Sequence, residues 1–152
     1  MTKLWVLIAD SSRAELLEVE GIGKSIKILK NFKHDKSRAR NRAIDTDRPG
    51  RTNDRVGGQR HAMERAVDPH RHECQIFAHE LVDALQHSLD DHEFEQFAIV
   101  APAAFLGELN HALPKTLKRA LLKEVTHDIA GITDQKKRHD LMCKYLDLWN
   151  HF

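Results

Sequence analysis

The sequence is short of the residues that staple a chain together or hold it in a membrane. Only two of its 152 residues are cysteines, Cys74 and Cys143. They lie far apart and make no disulfide framework. They read as reduced thiols, the usual state in the cytosol. No apolar run approaches the roughly 20 residues that span a bilayer. The run Leu4–Ala9 near the start is far shorter, and it lacks the length and cleavage site of a signal peptide. These absences predict a soluble, cytoplasmic chain with no membrane contact. Charge of one sign is also lacking: 24 Lys and Arg against 23 Asp and Glu leave a formal +1. The total therefore says nothing about partners, although the distribution does.

What is present begins with apolar residues, 41% of the chain. That is enough for a real core and too much for a disordered polymer. At this length one domain, residues 1–152, is expected. Leu4-Trp5-Val6-Leu7-Ile8-Ala9 is continuously apolar, as in a strand buried on both faces. Asp10-Ser11-Ser12-Arg13 reads as a turn. Ala14–Glu20 alternates, with Leu17 and Val19 on one face and Glu18 and Glu20 on the other. After Gly21-Ile22-Gly23, Ser25–Lys33 is a third strand built around Ile26 and Ile28. Such short connections predict antiparallel pairing.

Order is predicted to resume at Asp68-Pro69, an N-cap and first-turn pair. The helix that follows carries Phe77, Leu81, Leu85 and Leu89 on one face. Gln96–Ala101 is another buried strand. Pro102 opens a short helix through Leu109, and Pro114 opens a further turn or short helix. Leu121–Asp128 reads as a fifth strand. Thr133 caps a final helix with a stripe of Leu141, Tyr145 and Leu148, flanked by Met142, Leu146 and Trp149. The order β-β-β-α-β-α-β-α implies an α/β fold with a mixed sheet and helices on its faces. That succession resembles ribonuclease-H-like domains.

Between the third strand and the long helix, residues 35–67 show no periodicity. Loops of that length inside a compact domain are usually functional or disordered. From Lys36 to Arg71 there are ten basic residues, nine of them Arg, against five acidic ones. The segment is therefore +5 and the rest of the chain −4. Arginine presents a planar fork that pairs with phosphate through two hydrogen bonds. Arg48, Arg51, Arg55, Arg60 and Arg65 are the candidate RNA contacts. The competing reading is a solvated loop kept soluble by interspersed charge.

Gly57-Gly58-Gln59 lies inside this segment. Two glycines let the backbone approach a ligand closely. With the Gln59 amide they could place N–H donors and an ordered water beside a carbonyl under attack. The tripeptide resembles the one that archaeal and eukaryotic peptide-chain release factors carry between opening strands and a long helix. There it enters the peptidyl-transferase centre and promotes hydrolysis of the peptidyl-tRNA ester. By that resemblance Gly57, Gly58 and Gln59 are the candidate catalytic residues.

Several blocks together resemble the bacterial host attachment protein family. They are Trp5-Val6-Leu7-Ile8-Ala9-Asp10, Asp47-Arg48-Pro49-Gly50-Arg51, Arg60-His61-Ala62-Met63-Glu64, Asp68-Pro69-His70-Arg71-His72-Glu73, Phe77-Ala78, Val100-Ala101-Pro102 and Phe105-Leu106-Gly107-Glu108-Leu109. The resemblance implies kinship with the release-factor central domain. It also implies an intracellular RNA- or ribosome-associated factor with ribosome or tRNA as partner. The glycine-glycine-glutamine motif does not define that family, and no codon-reading domain is visible in this chain. A non-enzymatic, protein-binding role in host attachment is the alternative.

Other chemistries have weaker patterns. His70-Arg71-His72, at a helix start, puts its two imidazoles about 200° apart, poor geometry for one metal. No metal and no cofactor is expected. A two-metal nuclease needs clustered carboxylates. Only Asp10 and Asp128 fall near strand ends, and Asp10 reads as a turn former.

Overall fold

A computed structural model describes residues 4–20, 25–34 and 69–147. Its elements are strands β1 (Leu4–Ala9), β2 (Arg13–Glu20) and β3 (Ser25–Lys33), helix α1 (Pro69–Asp90), strand β4 (Gln96–Ala101), helices α2 (Ala103–Ala112) and α3 (Lys115–Ala120), strand β5 (Leu121–Thr126) and helix α4 (Gln135–Leu146). The sheet order is β3-β2-β1-β4-β5. The first three strands pair antiparallel, while β4 runs parallel to both β1 and β5. This is the expected ribonuclease-H-like mixed sheet, with α3 as an additional helical turn.

The central strand β1 is buried along its whole length. Its side chains alternate between two cores. Trp5, Leu7 and Ala9 join Phe77, Leu81, Leu85, Phe105, Leu109 and Leu117 beneath α1, α2 and α3. Leu4, Val6 and Ile8 join Leu17, Val19, Ile129, Met142, Cys143 and Leu146 beneath α4. Helices on both faces explain why the strand is apolar without alternation. Both cysteines are free and buried.

β3 departs from simple alternation. Leu16 pairs with Lys30 and Leu17 with Ile28, so Leu29 is an extra residue. This bulge reverses the faces. Ile26 and Ile28 pack toward α4, whereas Phe32 packs toward α1.

The expected stripe of α1 is present: Phe77, Leu81 and Leu85 are buried, and Leu89 packs against them. The helix ends with His92 at φ 59°. The Glu93 amide donates to the Ser88 carbonyl at 2.9 Å and the His92 amide to Leu89 at 3.0 Å. This is a Schellman closure with a left-handed residue that suits glycine. His92→Gly should therefore stabilise the chain by about 0.5–1 kcal/mol, raising Tm by roughly 2 °C. A melting curve with no rise would count against strain at this position.

Two expected boundaries shift. β5 ends at Thr126, two residues before Asp128. The His127 amide still donates to the Ala101 carbonyl at 3.1 Å, but Pro102 comes next and has no N–H to continue the ladder. The cap of α4 is Asp134, not Thr133. Its Oδ1 accepts from the Lys136 and Lys137 amides at 3.1 and 3.3 Å. The buried face of α4 is His139, Met142, Cys143 and Leu146, with Leu141 and Tyr145 only partly covered. Leu148 and Trp149 lie outside the described residues.

Candidate functional site

β1 ends at the turn Asp10-Ser11-Ser12. Asp10 Oδ1 accepts from the Ser12 and Arg13 amides at 2.8 and 2.9 Å. Asp10 is thus the turn former its position predicted. The same turn anchors the end of β3, because the His34 amide donates to the Ser12 carbonyl at 2.8 Å.

From there His34 reaches α1. Its Nε2 lies 2.9 Å from Glu73 Oε1, with the two side chains 11% and 8% exposed. The imidazole also stacks on Phe77 at 5.2 Å, and Phe77 meets Phe105 at 5.8 Å. His34 immediately precedes segment 35–67, and Glu73 sits in the first turns of the helix that follows it. One bridge therefore joins the residue before segment 35–67 to the helix after it, beside the carboxyl end of β1. The segment itself lies outside the described residues, and with it Gly57, Gly58, Gln59, Arg48, Arg51, Arg55, Arg60 and Arg65.

Beside this fastening lies an open pocket of about 530 Å³, lined among others by Asp10, Ser12, His70, Cys74, Phe105 and Asp128. It occupies the carboxyl end of the parallel strands, where open α/β sheets take their ligands. Cys74 Sγ lies 3.8 Å from His70 Nε2, and Arg71 Nε pairs with Glu108 Oε2 at 3.3 Å. Asp10 and Asp128 share the pocket, but Asp10 has one oxygen committed to backbone amides. Among the described residues no three His, Cys, Asp or Glu side chains converge as metal ligands. His70 lines the pocket while His72 is exposed.

On the other face of the sheet, Glu15 is buried under α4 at 6% exposure. Arg138 grips it with a two-point bridge, Nε to Oε1 and Nη2 to Oε2, both 2.9 Å. His139 Nε2 lies 3.1 Å from Oε1. Burial pushes the Glu15 carboxyl up, but the hydrogen bond and charge of Arg138 and the charge and hydrogen bond of His139 outweigh it. The net result is a pKa below the ordinary 4.5.

Sequence reasoning missed His34, Glu73, Glu15, Arg138 and His139. For Glu15 a signal existed. Strand parity places it on the face of Leu17 and Val19, so a carboxylate was bound for the core and needed a cation. His34 and Glu73 carried no such signal, since 39 residues separate them.

These features define the class: an α/β protein with a ribonuclease-H-like mixed sheet, in which a His34–Glu73 bridge joins the strand before a basic stretch to the helix after it. Within that class, the chain belongs to the family described as "Protein required for attachment to host cells", whose model matches residues 5–139. No curated protein matches the sequence. Two solved structures are similar to it at 11% identity. One is an archaeal translation termination factor, at a TM-score of 0.46, covering 95% of this chain and 39% of its own. The other is described as an archaeal protein, at 0.42, covering 99% and 39%. The chain thus spans about two-fifths of the length of each. Among the described residues no helix is long and apolar enough to cross a membrane.

Proposed function

We propose that this host attachment family chain acts in the cytoplasm as a release-factor-like, RNA- or ribosome-associated factor. Its contacts are Arg48, Arg51, Arg55, Arg60 and Arg65 with phosphates. The narrower part of the proposal gives Gly57-Gly58-Gln59 a role in hydrolysing the peptidyl-tRNA ester. Backbone donors would stabilise the developing oxyanion, and a held water would attack the carbonyl.

The observation that carries this reading is the bridge between His34 and Glu73. It joins the residue before the basic stretch to the helix after it, and the stretch from Lys36 to Arg71 carries +5 against −4 for the rest of the chain. Arginines concentrated in one stretch of chain can follow a phosphate backbone from one phosphate to the next. Nine arginines among ten cations favour phosphate as the target.

The test has two readouts. Binding to purified ribosomes and to tRNA should weaken steeply with salt. Changing the five arginines to Gln should cost about tenfold or more in affinity and flatten the salt slope. Peptide release from stalled ribosome complexes should slow about tenfold or more in Gln59→Ala. Binding indifferent to both salt and the arginine changes sinks the RNA reading and favours a non-enzymatic, protein-binding role. Binding without release by the unaltered chain removes only the ester hydrolysis.

A further inference from the structure

A second recess lies across the sheet from the pocket beside His34. It opens between β2, β3 and the turn before α4, and it encloses about 330 Å³. Arg13, Lys33 and Arg138 line it, with Glu15 as the carboxylate among them. That carboxylate is already consumed, because both its oxygens accept from Arg138 and one also meets His139. Arg13 and Lys33 are left over. They are cross-strand partners in the register of β2 and β3, so their charges stand side by side. Two cations so placed repel each other unless an anion joins them.

The acid facing Arg13 is Asp10, whose Oδ2 lies 3.7 Å from Arg13 Nε, beyond a good hydrogen bond. Its other oxygen serves two backbone amides. Among the described residues Lys33 has no ion-pair partner. Even with Asp10 counted, the recess keeps a net positive charge.

Arg138 adds an argument from donor accounting. A guanidinium has five N–H groups. Nε and one N–H of Nη2 go to Glu15, and one of Nη1 goes to the Ile132 carbonyl at 2.6 Å. Two remain, on a side chain only 13% exposed. Nearly buried donors of a cation seek acceptor oxygens. Thr133 and Asn31 bring neutral donors to the same wall. Gly131 leaves that wall open, since a Cβ there would meet nothing within 4 Å.

We propose that this recess is a binding site for a phosphate group. The phosphate is carried either by a small phosphomonoester or by an RNA backbone, which present the same dianionic or anionic oxygens to Arg13, Lys33 and Arg138. The site uses the folded body alone, so it stands or falls separately from the role of segment 35–67.

The test is a titration of the isotopically labelled full chain with inorganic phosphate, followed through the amide resonances of Gly131, Ile132 and Thr133. Saturable shifts are expected, and potassium chloride at matched ionic strength should not reproduce them. The Arg13→Gln/Lys33→Gln double variant and Gly131→Asp should each weaken phosphate binding about tenfold or more. Gly131→Asp places a negative charge where the backbone has room for a side chain, so melting curves should show both variants folded. Adenosine monophosphate and a short single-stranded RNA form two further arms. Whichever binds more tightly than inorganic phosphate, and loses that advantage in Gly131→Asp, is the carrier. Amides that ignore all three phosphates, or respond equally to chloride, overturn the site. So do folded variants that bind as the parent does.

Discussion

Glu15→Ala is expected to destabilise the fold by about 3–5 kcal/mol, on the order of 10 °C in Tm. The loss would exceed that of one surface ion pair, because the substitution strands two partners. Arg138 would keep its guanidinium under α4 with one acceptor, the Ile132 carbonyl, and His139 would face an emptied slot. Replacing both members of the bridge, Glu15→Leu with Arg138→Met, should cost far less than the single change, since apolar packing substitutes well for a buried pair. Denaturant melts of the three chains decide the matter. A single variant within about 1 kcal/mol of the parent would mean that the bridge contributes little.

The same group dictates an acid response. Glu15 has a folded pKa below its ordinary 4.5. A depressed carboxylate contributes stability that is fully present above the unfolded value and is lost as pH falls through the folded one. Stability from this source should therefore be level from neutral pH down to about 5 and then decline below about 4.5. In Glu15→Ala the decline from this group should vanish, leaving a shallower acid limb. A parent and a variant with parallel acid limbs would contradict that assignment.

Phe77→Ala is the second large effect, expected at about 3–5 kcal/mol. Phe77 has no exposed surface and sits where α1, α2 and the sheet meet. Its ring supports the His34 imidazole on one side and touches Phe105 on another. Truncation would leave a cavity and would also remove the ring on which the His34 imidazole stacks while it meets Glu73. Two readouts separate these consequences. Denaturation gives the global cost. Hydrogen exchange at the His34 amide, which donates to the Ser12 carbonyl, reports the fastening. Exchange there should accelerate by more than the global loss accounts for. If it tracks the global loss alone, Phe77 is a core residue with no special hold on His34.

The sheet was legible in the sequence because its signals are local. A continuous apolar hexamer marked β1, short turns forced antiparallel pairing, and Pro69, Pro102 and Pro114 marked helix starts. The fourfold spacing of Phe77, Leu81 and Leu85 identified the buried face of α1 correctly. Where the reading slipped, a longer-range partner had decided the outcome. In α4 the apolar stripe pointed to Leu141, Tyr145 and Leu148. Met142, Cys143 and Leu146 face the core instead, on the side of the helix where Arg138 and His139 meet Glu15. Hydrophobic pattern cannot register an anchor 123 residues away. In β3 the extra residue Leu29 inverted the faces beyond it, and periodicity cannot locate a bulge without the partner strand.

What the sequence determined by itself is the kind of structure and the charge distribution. Strand and helix identity follow from apolar spacing and from proline's missing N–H. The arginine excess of segment 35–67, with Gly57-Gly58-Gln59 inside it, is a property of composition alone. Only the tertiary structure decided that His34 and Glu73, on either side of that segment, meet. Only it decided that Arg13 and Lys33 stand together above Arg138. Such meetings join residues far apart along the chain, and their energies exist only once packing has excluded water from between them.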